Sequence, residues 1–360
     1  MVGVFIVKYS FNINSQNTKY SVNISNNDFL SILKNYDLII CDDYFKSKVK
    51  SVKVPKIFVN ATEENKTIDY SISLIENMIK NKLNKDSKVI LIGGGIVQDL
   101  GTFIASIYMR GIYWDYVPTT LTAILDSCIG GKSSINVSGY KNIVGNFYPP
   151  KNIFIHTQFI KSLNQIQVIS GLSEAMKICY AKDKKSFLKF LNLVNNYDKS
   201  NLIQNQNLIL HILKTKKFFI EKDEFDTGIR KKLNFGHTYG HAIEQATDFK
   251  IQHGVAVLIG MISACLHPDS KFQKNDPNIL TESLKLSNSI KNYILENTFN
   301  LNYSRFVAGI NIDKKNSLNS FRLILPSIES VALKTYKKSN NNYKIAYLAL
   351  KKGLDLINES

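Results

Sequence analysis

The apolar positions of this chain change their period partway along it. The first half carries short, dense runs: GVFIVKY (3–9), YDLIICD (36–42), KIFVNA (56–61), KVILIGG (88–94), YWDYVPTT (113–120) and NIFIHT (152–157). Each is rich in Val, Ile, Tyr or Phe, the pattern of buried β-strands. Between them lie stretches with apolar residues three or four apart, such as TIDYSISLIENMIKNKL (67–83) and IVQDLGTFIASIYM (96–109), which predict helices. Alternating strands and helices predict a mostly parallel sheet covered by helices.

From about residue 165 the strand signal fades. SGLSEAMKICYAKD (170–183), NLILHILKTKKFFIEKDEF (207–225), GHAIEQATD (240–248) and VAVLIGMISACL (255–266) all predict helices. HPDSKFQKNDPN (267–278) and KKSNNNYK (337–344) predict polar loops. The expected architecture is an α/β domain over residues 1–165 followed by an all-helical domain over 166–360. A chain of 360 residues is long for one core, which agrees with two domains.

Composition narrows the function classes. At 44% hydrophobic and 11% aromatic residues, the chain can build globular cores. No apolar run reaches bilayer length, so no membrane partner is expected. The first residues, MVGVFIVKYSFNINSQ, lack a basic segment ahead of the apolar stretch and a small-residue cleavage site. They predict an edge strand, and the cytoplasm is the expected location. Cys41, Cys128, Cys179 and Cys265 form no C-x-x-C pair and are expected as buried thiols. The formal net charge of +17 raises nucleic-acid binding. The lysines, however, are spread along the chain without a basic run, so we read a Lys- and Asn-rich surface and no nucleic-acid partner. A site for an anionic substrate accounts for part of the excess.

Four constellations carry chemistry. In VILIGGGIVQD (89–99) a strand ends in Gly93, Gly94 and Gly95, and a helix follows. Glycines there admit a phosphate to a helix N-terminus, although a tight turn alone would also use them. Asp99 sits in the first turns of that helix, placed to complement its dipole or to bind a ribose. VPTTLTAILDSCIGGKSSINVSGYKNIVGNFYPP (117–150) holds Thr119, Thr120, Asp126, Lys132, Lys141 and Asn142 among small apolar residues, and has no Walker spacing. GLSEAMK (171–177) puts Glu174 and Lys177 three apart: a surface ion pair, or a metal ligand beside an anion-binding amine. The fourth stretch holds Lys216, Asp226, Arg230, Asn234, His237, His241 and His253. Three of the six histidines fall within 17 residues there, a density that favours metal or proton-transfer chemistry. His237 and His241 stand four apart, on one face of a helix, but Thr238 occupies the place of a zincin glutamate. Spacing alone leaves open whether both bind metal.

Taken together, GGGIVQDL, YMRG, VPTTL, DSCIGGK, KNIVGNFYPP, GLSEAMK, LNFGHTYGHAIE and HG resemble, in order and spacing, the 3-dehydroquinate synthase family of sugar-phosphate cyclases. The resemblance runs from about residue 60 to 330. It implies a Rossmann-like NAD-binding domain followed by a metal- and substrate-binding domain. It implies conversion of 3-deoxy-D-arabino-heptulosonate 7-phosphate to 3-dehydroquinate and phosphate, a step of aromatic amino acid biosynthesis. NAD is reduced and regenerated in each cycle, around phosphate elimination and an aldol closure. The metal, Zn2+ or Co2+, is held by Glu174, His237 and His253, with His241 facing the substrate. Lys132, Lys177, Lys216 and Arg230 clamp anionic groups; Asn234, Asp126 and Lys141 fix hydroxyls; Asp226 lies near the substrate, as does Lys314 or Lys315. The resemblance places Arg110 at the phosphate in a neighbouring subunit and so implies a homodimer. NAD contacts fall to Asp42 or Asp43, Glu63, Lys66, Gly93 to Gly95, Asp99, Thr119, Thr120, Asp126, Lys132, Lys141, Asn142, Phe159 and Ser162.

The chain departs from the family pattern at Asp226, where a glutamate is usual, and at Val255, where the family has HGE. The NVSGY loop (136–140) lacks a His-Pro pair, and Lys141 follows Tyr140 instead of glycine. These departures bear on the identity of the sugar phosphate. The alternatives are a valiolone- or deoxy-inosose-forming cyclase and a glycerol-dehydrogenase-like alcohol dehydrogenase. The dehydrogenase would have no need of the lysine cluster and would release NADH.

Overall fold

In the computed structural model, the described residues are 8–25, 29–194, 205–271, 276–312 and 317–360. Seven strands form one sheet in the order β1-β2-β9-β6-β5-β3-β4. They are β1 (Tyr9–Asn14), β2 (Lys19–Ser25), β3 (Leu38–Asp42), β4 (Lys56–Val59), β5 (Lys88–Gly93), β6 (Tyr113–Pro118) and β9 (Asn152–His156). All pairings are parallel except β1 with β2. Five of the six expected runs are strands β3, β4, β5, β6 and β9. Most of the sixth, 3–9, lies outside the described residues, and Tyr9 opens β1. β5 is buried on both faces after its first residue, as a central parallel strand must be.

Strand order reverses between β3 and β5. The chain passes from β3 out to β4, then crosses back through the helix Ile68–Lys80 to β5 on the other side of β3. In open α/β sheets the crevice at such a reversal, at the carboxyl ends of the strands, is where ligands bind. Asp42 ends β3 there and Gly93 ends β5, with the helix Gly95–Ile107 following. A further hairpin, β7 (Ile135–Val137) with β8 (Tyr140–Val144), turns through Ser138 and Gly139. Both have positive φ, 51° and 79°, as a two-residue type I′ turn requires. The loop without His-Pro is therefore a tight hairpin that brings Lys141 and Asn142 back beside Asn136.

Packing divides the chain into two units: Met1–Ser162 with Lys199–Leu213 and Lys217–Phe225, and Leu163–Asp198 with Lys214–Lys216 and Asp226–Ser360. One core of the first unit gathers Phe29, Ile39, Cys41, Phe45, Ile90, Ile92, Val117 and Phe159. In the second unit the helix His253–Leu266 is buried almost all round, the mark of a helix inside a core. It packs against the helices Gln165–Lys182, His237–Ala246 and Asn340–Glu359. All four cysteines are buried thiols.

Three features of the second unit differ from the sequence reading. The ribbon β10 (Ser320–Pro326) with β11 (Val331–Lys337) stands among the helices. Only one face of β11 is covered, and its polar alternation carries no buried run. The expected loop at 337–344 instead opens the helix Asn340–Glu359. Asparagines are poor helix formers, but Ser339 caps the first turn, and Tyr343, Ala346, Leu350, Gly353 and Ile357 bury one face. Likewise Asp276, in the other expected loop, starts the helix Asp276–Glu282.

Candidate nucleotide cradle and metal centre

Lys66 is the hub of a polar cluster in the first unit. It is only 5% exposed, and its ammonium donates to Asp99 at 3.1 Å and to Asn142 at 2.6 Å. Glu63 lies 3.5 Å away. Asn136 donates to Glu63 at 2.9 Å and accepts from the Asn142 amide at 2.9 Å. Ser134 donates to Asp99 at 2.8 Å, and Lys141 stands 3.9 Å from Glu63. Asn142 needs a left-handed backbone, φ 56°, to turn its side chain into the cluster. Burial raises the pKa of Asp99, and the Lys66 ammonium opposes that rise. Glu63, Lys66, Asp99, Lys141 and Asn142, spread over 80 residues of sequence, thus meet at one place.

The glycine turn lies at the end of β5. A Cβ on Gly95 would meet nothing within 4 Å, so the first turn of the helix is open to a ligand. Thr119 is buried, and its amide donates to the Gly93 carbonyl at 3.0 Å. Thr120 Oγ1 accepts from the Ala123 amide at 3.2 Å. Asp126 sits in a π-helical turn, Ala123–Ser127, tied down by reciprocal 2.7 Å hydrogen bonds between Gln98 and Ser127. Such turns recur at functional sites. Asp42 caps the turn Asp43–Phe45 by accepting from Tyr44 at 3.1 Å, and burial raises its pKa. Phe159 is 2% exposed and packs edge-on against Phe45, so its ring is core. Ser162, exposed, donates to the Phe159 carbonyl at 2.9 Å. Lys132 is exposed and lies 5.8 Å over the Phe147 ring. Arg110 is exposed on a turn with positive φ at Met109, Arg110 and Gly111, whose carbonyls Lys85 binds.

The second unit holds the metal-ligating types. The helix Gln165–Lys182 buries Glu174 and, one turn on, Lys177, with the ammonium in direct contact with Glu174 Oε2. His237 opens one helix and His253 the next, with His241 one turn after His237. One ring nitrogen from each of these three histidines lies within 4.8 Å of the others. His237 Nδ1 is 3.3 Å from the Phe235 carbonyl, and His253 Nδ1 is 3.1 Å from Glu244 Oε2. Both rings therefore present Nε2 to the cluster. His253 Nε2 stands 3.5 Å from Glu174 Oε1. Two donors about 2.1 Å from one tetrahedral ion stand about 3.4 Å apart, so this pair fits a shared divalent cation. Burial acts to lower the His253 pKa, but Glu244 and then Glu174 outweigh it and raise it to about 9. A metal arriving at neutral pH must displace that proton.

Arg230, 3% exposed, and Asn234 lie on the turn Ile229–Asn234, just before His237. Lys216, 6% exposed, lies in the helix Gln206–Lys222. Asp226 has a left-handed φ of 59°. Lys314 and Lys315 fall outside the described residues. Sequence reasoning missed Glu244, Gln98, Ser134 and Asn136. Only Glu244 had a usable signal: it follows His237 by seven residues, on the same helical face.

A family model described as 3-dehydroquinate synthase N-terminal matches residues 56–170, and one described as 3-dehydroquinate synthase C-terminal matches 171–316. A 3-dehydroquinate synthase of Clostridium tetani is 36% identical over 309 residues, covering 82% of this chain and 81% of its own. One of Ruminiclostridium cellulolyticum is 33% identical over 304 residues, covering 81% of each. Among solved structures, a 2-deoxy-scyllo-inosose synthase complexed with carbaglucose-6-phosphate, NAD+ and Co2+ superposes with a TM-score of 0.80 at 21% identity, over 96% of this chain and all of that one. A 2-epi-5-epi-valiolone synthase from Streptomyces hygroscopicus, with NAD+ and Zn2+ bound, gives 0.73 at 18% identity, over 94% and 98%. These two likenesses bear on the fold. The matched models and the relatives of one-third identity reach further: the chain belongs to the 3-dehydroquinate synthase family.

Proposed function

We propose that this chain is a 3-dehydroquinate synthase. It converts 3-deoxy-D-arabino-heptulosonate 7-phosphate to 3-dehydroquinate and phosphate, using NAD and a divalent metal, Zn2+ or Co2+. The observation that carries the reading is the cluster of His237, His241 and His253, with Glu174 3.5 Å from His253 and Lys177 beside Glu174. Residues 1–165 serve as the NAD-binding domain and 166–360 as the metal- and substrate-binding domain.

When bound, NAD supplies a hydride acceptor and donor, and the metal supplies a Lewis acid for a substrate hydroxyl. The chain's own residues do the rest. Glu63 and Asp99, oriented by Lys66, would accept hydrogen bonds from ribose hydroxyls. The open turn at Gly95 admits the pyrophosphate to the helix N-terminus. Glu174, His237 and His253 are the metal ligands. His241, one turn from His237, exchanges the proton of the reacting hydroxyl. Lys132, Lys177, Lys216 and Arg230 hold the carboxylate and phosphate, and Asp126, Lys141, Asn234 and Asp226 orient hydroxyls. The substrate's phosphate dianion takes the proton lost in its own elimination. Arg110 extends to a neighbouring subunit's phosphate in a homodimer. No helix among the described residues is long and apolar enough to cross a membrane, and we place the enzyme in the cytoplasm.

The test is phosphate release by metal-stripped protein supplied with NAD and the heptulosonate phosphate, before and after zinc or cobalt is added. Metal-dependent phosphate release, with dehydroquinate formed and no net NADH, is expected. Net NADH without phosphate would mark an alcohol dehydrogenase. No reaction despite bound zinc and NAD would move the substrate to the sugar phosphates of deoxy-inosose or valiolone formation.

A further inference from the structure

Glu244 has no role in the site as the motifs define it, yet its position is specific. His237, His241 and Glu244 share one face of the helix His237–Ala246. The Glu244 side chain is only 15% exposed, and its Oε2 lies 3.1 Å from Nδ1 of His253, at the start of the next helix. The connection that allows this meeting is strained. Asp248 and Phe249 both have positive φ, 53° and 58°. It is also pinned: the Phe249 amide donates to the Glu244 carbonyl at 2.7 Å, and Arg305 holds Asp248 through two bonds of 2.7 and 2.8 Å.

A neutral imidazole has one N–H and one lone pair. An ionised carboxylate at Nδ1 can only accept, so it keeps the N–H there and leaves the lone pair on Nε2. That nitrogen faces Glu174, 3.5 Å away. We propose that Glu244 is a positioning residue of the metal centre, which sets the tautomer and ring orientation of His253 without touching metal or substrate. His237 has a weaker counterpart in the Phe235 carbonyl, 3.3 Å from its Nδ1. The inference rests on the reading of His253 as a ligand.

The test is zinc affinity, measured by competition with a chromophoric chelator, together with thermal unfolding of the metal-free protein. Glu244→Ala should weaken zinc about 10–100-fold, as loss of a ligand-orienting carboxylate does elsewhere. Glu244→Gln should weaken it less, because its amide oxygen still accepts from Nδ1–H. The Glu244→Ala/His253→Ala double variant should bind zinc no more weakly than His253→Ala alone, since the carboxylate acts only through that ring. Nitrogen-15 NMR of the metal-free proteins, at a pH where His253 is neutral, should show the ring holding its Nδ1–H tautomer in Glu244→Gln and losing it in Glu244→Ala. Unchanged zinc affinity in Glu244→Ala, or equal losses in the presence and absence of His253, would overturn the inference. If Glu244→Ala does not fold, Glu244→Met, which keeps the volume and removes the acceptor, decides: weaker zinc at an unchanged melting midpoint supports the role, and unchanged zinc refutes it. Zinc affinity that His237→Ala and His253→Ala both leave intact would instead sink the ligand assignment, and the inference with it.

Discussion

Replacing Gly254 by alanine should strain the metal centre through the backbone. Gly254 follows His253, and its amide donates to Ser170 Oγ at 3.0 Å. A Cβ at Gly254 would stand 2.1 Å from the Ser170 carbonyl oxygen and 2.5 Å from Ser170 Oγ. Real Cβ contacts do not fall below 3.0 Å, so the first turn of the helix His253–Leu266 must withdraw from the helix Gln165–Lys182 by nearly 1 Å. Those two helices carry His253 and Glu174. His253 Nε2 and Glu174 Oε1, now 3.5 Å apart, would separate, whereas the proposed metal–ligand distances would tolerate only about 0.2 Å. Overpacking of this kind costs about 1–3 kcal/mol. At about 2–4 °C per kcal/mol, the metal-free melting midpoint should fall by several degrees. Zinc affinity should fall about tenfold or more, as for other distortions of ligand geometry. Calorimetric unfolding and chelator competition read the two effects. A Gly254→Ala protein with the parent's midpoint and the parent's zinc affinity would show that the helices are not in hard contact and that Gly254 does not set their separation.

His237→Ala should abolish zinc retention, whereas His241→Ala should retain zinc and lose about 100-fold or more in turnover; equal zinc loss in both variants would make all three imidazoles ligands. Lys66→Met leaves Asp99 without its ammonium and Glu63 with Lys141 alone, so NAD binding should weaken about tenfold and urea stability should fall by about 1–3 kcal/mol. Isothermal titration and equilibrium denaturation measure these, and an unchanged NAD affinity would remove Lys66 from the cradle. Burial holds the His267 pKa below its usual 6.5, while its Nδ1 accepts from the Asp269 amide at 3.2 Å. A depressed folded value means that this stabilisation is present above pH 6.5 and is lost as pH falls through the lowered value. His267→Gln should therefore flatten the acid limb of the curve of melting midpoint against pH; an unaltered limb would assign the acid lability to other groups.

Sequence alone determined much of this protein. Runs such as KVILIGG and NIFIHT are dense in Val and Ile, and a covered parallel sheet accommodates that, so five strands and their class were legible. The pairing of His237 with His241 followed from the helical repeat, and Glu174 with Lys177 in the same way, because local geometry is periodic. Periodicity does not specify which distant elements meet. Strand β11 and the helix opening in three asparagines exist because one face of each is covered by other parts of the fold. The gathering of Lys66 with Asp99 and Asn142 depends on strand order and on a left-handed residue, neither of which leaves a local pattern. The contact of Glu244 with His253 required two helices to be folded back through a pinned, strained connection. Sequence thus determined which residue types were available and which faces they shared. Tertiary structure decided which of them meet, because burial and hydrogen bonding between distant segments select among arrangements that local propensity leaves equivalent.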